Sequence, residues 1–145
     1  MTNPTAENFG YPRTKVAETD SWLVLVRPKQ PTLGALVLVC KEPVESFAQV
    51  SPAAFADLGV AVKGIERLLG GFVAYEKINY LMLMMVDRDV HFHVIPRYEG
   101  TRTHEGLTFA DAGWPAAPAL GATVDLDLDA AERLAGTLAK AWAAA

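Results

Sequence analysis

Between Asp89 and Pro96 the chain reads Asp-Val-His-Phe-His-Val-Ile-Pro. Side chains alternate across a β-strand, so Asp89, His91 and His93 are expected on one face and Val90, Phe92 and Val94 on the other. Such a segment needs a helix layer over its apolar face and polar partners for its other face. The preceding run, Phe72 to Val86, ends Ile-Asn-Tyr-Leu-Met-Leu-Met-Met-Val and is followed by Asp87-Arg88. Two apolar strands around a short polar turn predict an antiparallel hairpin at the centre of a sheet.

The remaining elements follow from local pattern. Lys15–Thr19 and Ser21–Arg27 read as strands, Pro28–Gly34 as a connection and Ala35–Cys40 as a further apolar strand. A helix is predicted from Ser51, its cap, and Pro52 to a stop at Gly70-Gly71, with Phe55, Leu58, Val62, Ile65 and Leu69 as its apolar stripe. Residues 97–121 form a looser segment in which Trp114-Pro115 closes a loop over the sheet. A last helix begins near Asp129, where Glu132 completes an approximate capping box, and buries Leu134, Leu138 and Trp142. The expected architecture is α+β. It has a mainly antiparallel sheet with a central hairpin, one long support helix and a C-terminal helix. At 145 residues the chain suits one domain, 1–145, with residues 1–13 as a loose N-terminal arm and 99–145 as a C-terminal extension.

Composition removes several classes of function. Thirteen basic residues against 17 acidic ones give a formal charge of −4, which leaves no broad basic face for nucleic acid or an anionic membrane. The apolar runs Leu33–Cys40 and Leu81–Val86 fall short of the roughly 20 residues that span a bilayer. With no signal core between Met1 and Lys15 and a single cysteine, Cys40, a cytoplasmic location is expected.

Histidines one residue apart on a strand suit two chemistries. The first is a metal grip. Alpha carbons four residues apart on a strand are roughly 13 Å apart at about 3.3 Å per residue, so Asp89 and His93 do not reach one ion together. A third ligand from His104 or a distant carboxylate has no signature spacing. The second is nucleophilic attack at phosphorus by one imidazole while its neighbour donates hydrogen bonds to phosphate oxygens or the leaving group. The sequence fits the second better. No cofactor is expected.

Asn79 is an amide in an apolar strand, and hairpin register decides its role. A three-residue turn sets it opposite Ile95 on the histidine face, within reach of ribose or phosphate; a two-residue turn sets it on the other face. Arg97, following Pro96, is a candidate phosphate ligand or a solvated surface residue. His104 is expected to be exposed in a polar loop. Met82, Met84 and Met85 read as core filler.

Val90-His91-Phe92-His93-Val94-Ile95-Pro96-Arg97 resembles the end of the histidine triad (HIT) signature. Gly34-Ala35-Leu36-Val37-Leu38-Val39-Cys40-Lys41 resembles that family's upstream Gly-His-x-Leu-Val-Ile-Pro-Lys strand, and the likeness spans roughly residues 20–98. The resemblance implies a HIT-like α+β nucleotide-binding fold, a homodimer, and metal-free nucleotidyl transfer through a covalent nucleotidyl-histidine. His91 falls on the nucleophile and His93 on the phosphate-binding histidine. The substrate implied is a nucleoside phosphoramidate or a dinucleoside polyphosphate. Three positions depart from the pattern. Asp89 stands where the first histidine is expected, Ala35 replaces the histidine after the glycine, and Arg27 replaces an acid that often contacts ribose. Asp89 either orients His91 as a carboxylate orients the base of a triad, or opposes phosphate unless Arg88, Arg97 or Arg102 offsets it. The alternatives are therefore a nucleotide-binding module without turnover and a His-x-His metal protein.

Overall fold

The computed structural model describes residues 3–144. Its elements in chain order are α1 (Pro4–Asn8), β1 (Lys15–Glu18), β2 (Trp22–Val26), β3 (Lys29–Gln30), β4 (Leu36–Cys40), α2 (Pro52–Val73), β5 (Lys77–Leu81), β6 (His91–Arg97), β7 (Thr101–His104), β8 (Leu107–Ala110), β9 (Val124–Asp125) and α3 (Leu128–Ala143). Five strands form one antiparallel sheet in the order β1-β2-β4-β6-β5. The short pairs β3-β9 and β7-β8 stand apart from it. No helix among the described residues is long and apolar enough to cross a membrane.

Alternation gives the sheet two different faces. Trp22, Val24 and Val26 of β2, Leu36, Leu38 and Cys40 of β4 and Val94 of β6 meet Ile65, Leu68 and Leu69 of α2 and Ala131, Leu134 and Leu138 of α3 in the main core. Fully burying each such aliphatic side chain contributes about 1.5–3 kcal/mol. The Trp22 indole also donates to the Ala54 carbonyl at 2.8 Å, tying β2 to α2. On the opposite face Leu23, Leu25, Val37 and Val39 form a smaller apolar patch with Ala6, against which Phe9 and Tyr11 pack.

Residues 1–13 are therefore not a loose arm where they are described. Asn3 caps α1 by accepting from the Ala6 amide and donates to the Cys40 carbonyl, so the segment is pinned to the sheet. Residues 1 and 2 of that expected arm lie outside the described residues.

The hairpin also differs from expectation. Phe72 and Val73 belong to α2, which runs past Gly70-Gly71 to a left-handed cap at Ala74 (φ 48°). β5 keeps only five residues and lies at the sheet's edge, so β6 is interior but the hairpin is not central. Residues 82–90 form a long connection rather than a tight Asp87-Arg88 turn, with Met84 at φ 52° and Asp89 held by α1. Met82 and Met84 pack on the core as filler, but Met85 is 84% exposed. The α2 stripe is rotated from the expected one. Ala54, Ala61, Ile65, Leu68, Leu69 and Val73 are buried, while Phe55 points outward against Phe47. Helix α3 is capped by Asp127, whose carboxylate accepts from the Ala130 amide; Asp129 and Glu132 pair with Arg13 instead.

Between helices α2 and α3, Gly64 lies beneath the Trp142 indole, which a methyl group at position 64 would strike. Gly64→Ala is therefore expected to lower unfolding free energy by about 1–3 kcal/mol, since a packed site must shift to admit it. Gly59→Ala, on the same helix with nothing within 4 Å of the new carbon, is expected to raise it by about 0.4–1 kcal/mol. Urea unfolding of both variants measures the contrast; equal effects would place the contact wrongly.

Candidate functional site

Strand β6 sets the site by parity. Val39 pairs with His91, Val37 and Leu81 pair with His93, and Asn79 pairs with Ile95, so these residues share the face away from the helices. His91 is 2% and His93 8% exposed, and the two rings stand edge to face with centroids 5.2 Å apart. Phe9 lies against both, 6.2 Å from His91 and 5.8 Å from His93. The rings line a cleft of about 310 Å³ whose other walls are Phe9, Arg27 and the connection from Leu83 to Asp87.

Hydrogen bonds assign the two imidazoles opposite roles. The Nδ1 of His91 is 2.7 Å from the Asp89 carbonyl. A carbonyl only accepts, so Nδ1 carries the proton and the Nε2 of neutral His91 is left as a bare lone pair. For His93 the Nδ1 accepts from the Arg27 Nε at 3.3 Å, which puts the proton on its Nε2. One ring thus offers a nucleophile and its neighbour a donor. His93 is held well below the ordinary histidine range, at about 4, first by burial and then by the charges of Arg27 and His91, so it is neutral at pH 7.

Asp89 is near the pair but acts through its backbone. Its side-chain Oδ2 accepts from the Thr5 amide at 3.2 Å, and its own amide donates to the Thr5 hydroxyl at 3.0 Å. The carboxylate therefore anchors α1, and the carbonyl of Asp89 orients His91. A second tie, from the Asn8 side-chain amide to Asp87 at 2.8 Å, fixes the far end of α1 over the same connection.

Arg97 is a correction. Its guanidinium is buried, donating to both Asp111 oxygens at 2.6 and 3.0 Å, to Asn79 at 2.8 Å and to the Ala116 carbonyl at 2.8 Å. Four of the five N–H donors of this guanidinium are thus spent inside the fold, and its charge is matched by Asp111. Asn79 lies on the histidine face, the outcome of the longer-turn register, yet its side-chain oxygen is spent on Arg97. Arg102 is stacked 4.3 Å over the Tyr98 ring and donates to the Val73 carbonyl. Arg88 is exposed beside Asp87 and Asp89 on a different cleft. His104 ends β7 with its ring edge-on to Phe72 rather than lying in a loop.

The cation that does face the histidines is Arg27, which sequence reasoning took only as a missing acid. Its signal was parity: Leu23, Leu25 and Arg27 alternate, and the Arg27 amide extends the ladder to the Ala35 carbonyl. Buried Gln30 clamps this corner, donating to the carbonyls of Arg27 and Ala35 and accepting from Gly34, whose φ of 93° suits glycine.

No family model matches the sequence, and no curated protein matches it. Solved structures match the fold. A histidine triad protein from Sinorhizobium meliloti aligns with a TM-score of 0.72 at 20% identity, covering 97% of this chain and 95% of that one. The diadenosine triphosphate hydrolase of Plasmodium falciparum aligns at 0.65 and 12% identity, covering 89% and 76%. The C. elegans NitFhit protein aligns at 0.67 and 16%, covering 89% of this chain but 27% of that longer one. At such identities the likeness establishes the architecture: the chain has the histidine triad fold, α+β with an antiparallel sheet.

Two outcomes follow from these contacts. Removing Arg97 leaves buried Asp111 without its counter-charge, so Arg97→Ala is expected to lower unfolding free energy by about 3–5 kcal/mol; an unchanged midpoint in urea would refute the buried pair. For His93 the unfolded chain, with a pKa near 6.5, binds a proton that the folded state refuses until about 4. Its contribution to stability is thus complete above about 6.5 and is lost as pH falls toward 4, on the order of 1 kcal/mol after solvent screening. His93→Gln should flatten that slope, and an NMR titration of His93 with a midpoint at 6.5 would contradict the assignment.

Proposed function

We propose that the protein binds a nucleotide and transfers its nucleotidyl group to water or another acceptor through a covalent bond to His91. The observation that carries this reading is the pairing of a bare His91 Nε2 with a protonated His93 Nε2 and a guanidinium in one cleft. In the first step the His91 lone pair forms an N–P bond as the bond from phosphorus to the leaving group breaks. The positive charge that develops on the ring is shared with the Asp89 carbonyl through the Nδ1–H bond, which strengthens as the ring becomes cationic. His93 Nε2–H and Arg27 stabilise the phosphate oxygens. In the second step water attacks phosphorus, the N–P bond returns its electrons to His91, and one proton leaves to solvent.

His93 also bears on the leaving group. Held neutral by burial and by Arg27, it donates a hydrogen bond but does not supply a proton as an imidazolium would. A leaving group stable as an anion, the phosphate of an anhydride, suits this site better than an amine. A dinucleoside polyphosphate is therefore favoured over a nucleoside phosphoramidate. Arg27 also weighs against the metal reading, because a guanidinium bonded to His93 repels a second cation. The single buried thiol, Cys40, fits a cytoplasmic setting, and assembly as a homodimer rests on the resemblance alone.

Incubation with diadenosine polyphosphate, an acid-free quench and peptide mass spectrometry test the chemistry. An adenylyl adduct on His91 is expected, with turnover lowered about 10³-fold or more in His91→Ala. Stoichiometric binding with no adduct and no turnover would leave a nucleotide-binding module in its place.

A further inference from the structure

Arg27 is half-buried and, among the described residues, makes no ion pair with a carboxylate, whereas Arg13, Arg97 and Arg133 all do. Its Nε donates to neutral His93 and its Nη1 to the Lys29 carbonyl, so both partners are uncharged acceptors. Burial accordingly lowers its pKa from the ordinary arginine value, with Asp125 opposing through space. A partly desolvated charge with no counter-charge in contact is costly in a protein interior unless a ligand supplies one.

The place where that ligand would sit is a second cleft. It measures about 200 Å³ and is lined by Asn8, Phe9, Arg27, Pro28 and Lys29. It shares Phe9 and Arg27 with the histidine cleft, so the two adjoin at these side chains. The guanidinium spans the junction, with Nε toward His93 and Nη1 toward Lys29. Lys29 adds a second cation on the outer wall. Two carboxylates lie nearby, each with a partner of its own: Asp87, which lines the histidine cleft, accepts from Asn8, and Asp125, the cross-strand partner of Lys29, accepts from Thr123.

We propose that this second cleft is an anion subsite, which binds a phosphate group of the substrate other than the one His91 attacks. The inference rests on the reading of His91 as nucleophile for its choice of substrate, but the subsite is measured by affinity alone. Two kinds of nucleotide carry such a phosphate: one esterified on a ribose hydroxyl, and one continued along a polyphosphate chain. Both would place an anion against Arg27 with Lys29 behind it.

Titration calorimetry with adenosine 5′-monophosphate, adenosine 2′,5′- and 3′,5′-bisphosphate, and adenosine di- and triphosphate separates the sources. At least one polyanion is expected to bind about 10-fold or more tighter than the monophosphate, the usual effect of one charge-assisted contact. The advantage should shrink with added salt and fall toward one in Arg27→Gln. Exposed Lys29 gives a second variant whose folding does not depend on the corner, and Lys29→Gln should reduce the same ratio. Affinities within about 2-fold of one another for all five nucleotides, or a preference that survives Arg27→Gln, would overturn the subsite. A His91 adduct without any preference refutes the subsite and keeps the nucleophile; a preference without an adduct does the reverse.

Discussion

The ladder between β4 and β6 is the constraint from which the site descends. It aligns Val37 with His93 and Val39 with His91, and a slip of one residue would turn both imidazoles into the helix layer and expose Phe92 and Val94. That slip is opposed by the packing of Phe92 against Trp22 and Phe47 on the helix side and by the burial of Val94 in the core. β6 is also held by β5, so its position is set from both edges. The chemistry of the histidine face is thus enforced largely by apolar contacts on the face that does no chemistry.

Charge is arranged with similar economy of means. The chain carries a formal −4, yet the group in contact with His93 is a guanidinium, and the carboxylate closest in sequence is turned to α1. Local arrangement outweighs net charge here because a contact of a few ångströms in a partly desolvated cleft is screened far less than a surface charge across the molecule. Arg97 shows the converse. It ends the histidine strand, but Asp111, Asn79 and the Ala116 carbonyl take four of its five donors inside the fold.

Much of this was legible in the sequence, because period-2 alternation and capping residues are local. Ser51 and Pro52 fixed the start of α2, and the alternation around His91 and His93 fixed their common face. The end of α2 was not, since two glycines stop a helix only when tertiary packing does not carry it onward, as burial of Val73 does here. Residues 82–86 read as strand because they are apolar, with Asp87-Arg88 as the turn; what diverts this connection is the tie between Asp89 and Thr5, 84 residues apart. Arg97 and Arg27 exchanged roles for the same reason. Their partners, Asp111 and His93, are remote in sequence, and no local pattern records which guanidinium will be filled.

Asp89 is where these strands of argument meet. A histidine at that position would present an imidazole; aspartate instead presents a carboxylate to the Thr5 amide and receives the Thr5 hydroxyl at its own amide. That reciprocal pair, with Asn8 on Asp87 and Asn3 on the Cys40 carbonyl, brings α1 down on the sheet. The consequence is Phe9, carried one residue beyond α1 onto both histidine rings. An aromatic wall covers this side of the cleft, and under the proposed reading the reduced access of water would strengthen a hydrogen bond from His93 to a phosphate. The carbonyl of Asp89 meanwhile holds His91 in the tautomer that leaves Nε2 bare, a task any residue's backbone performs. Asp89 therefore orients His91 through its carbonyl and, through its carboxylate on α1, adds a covering for it.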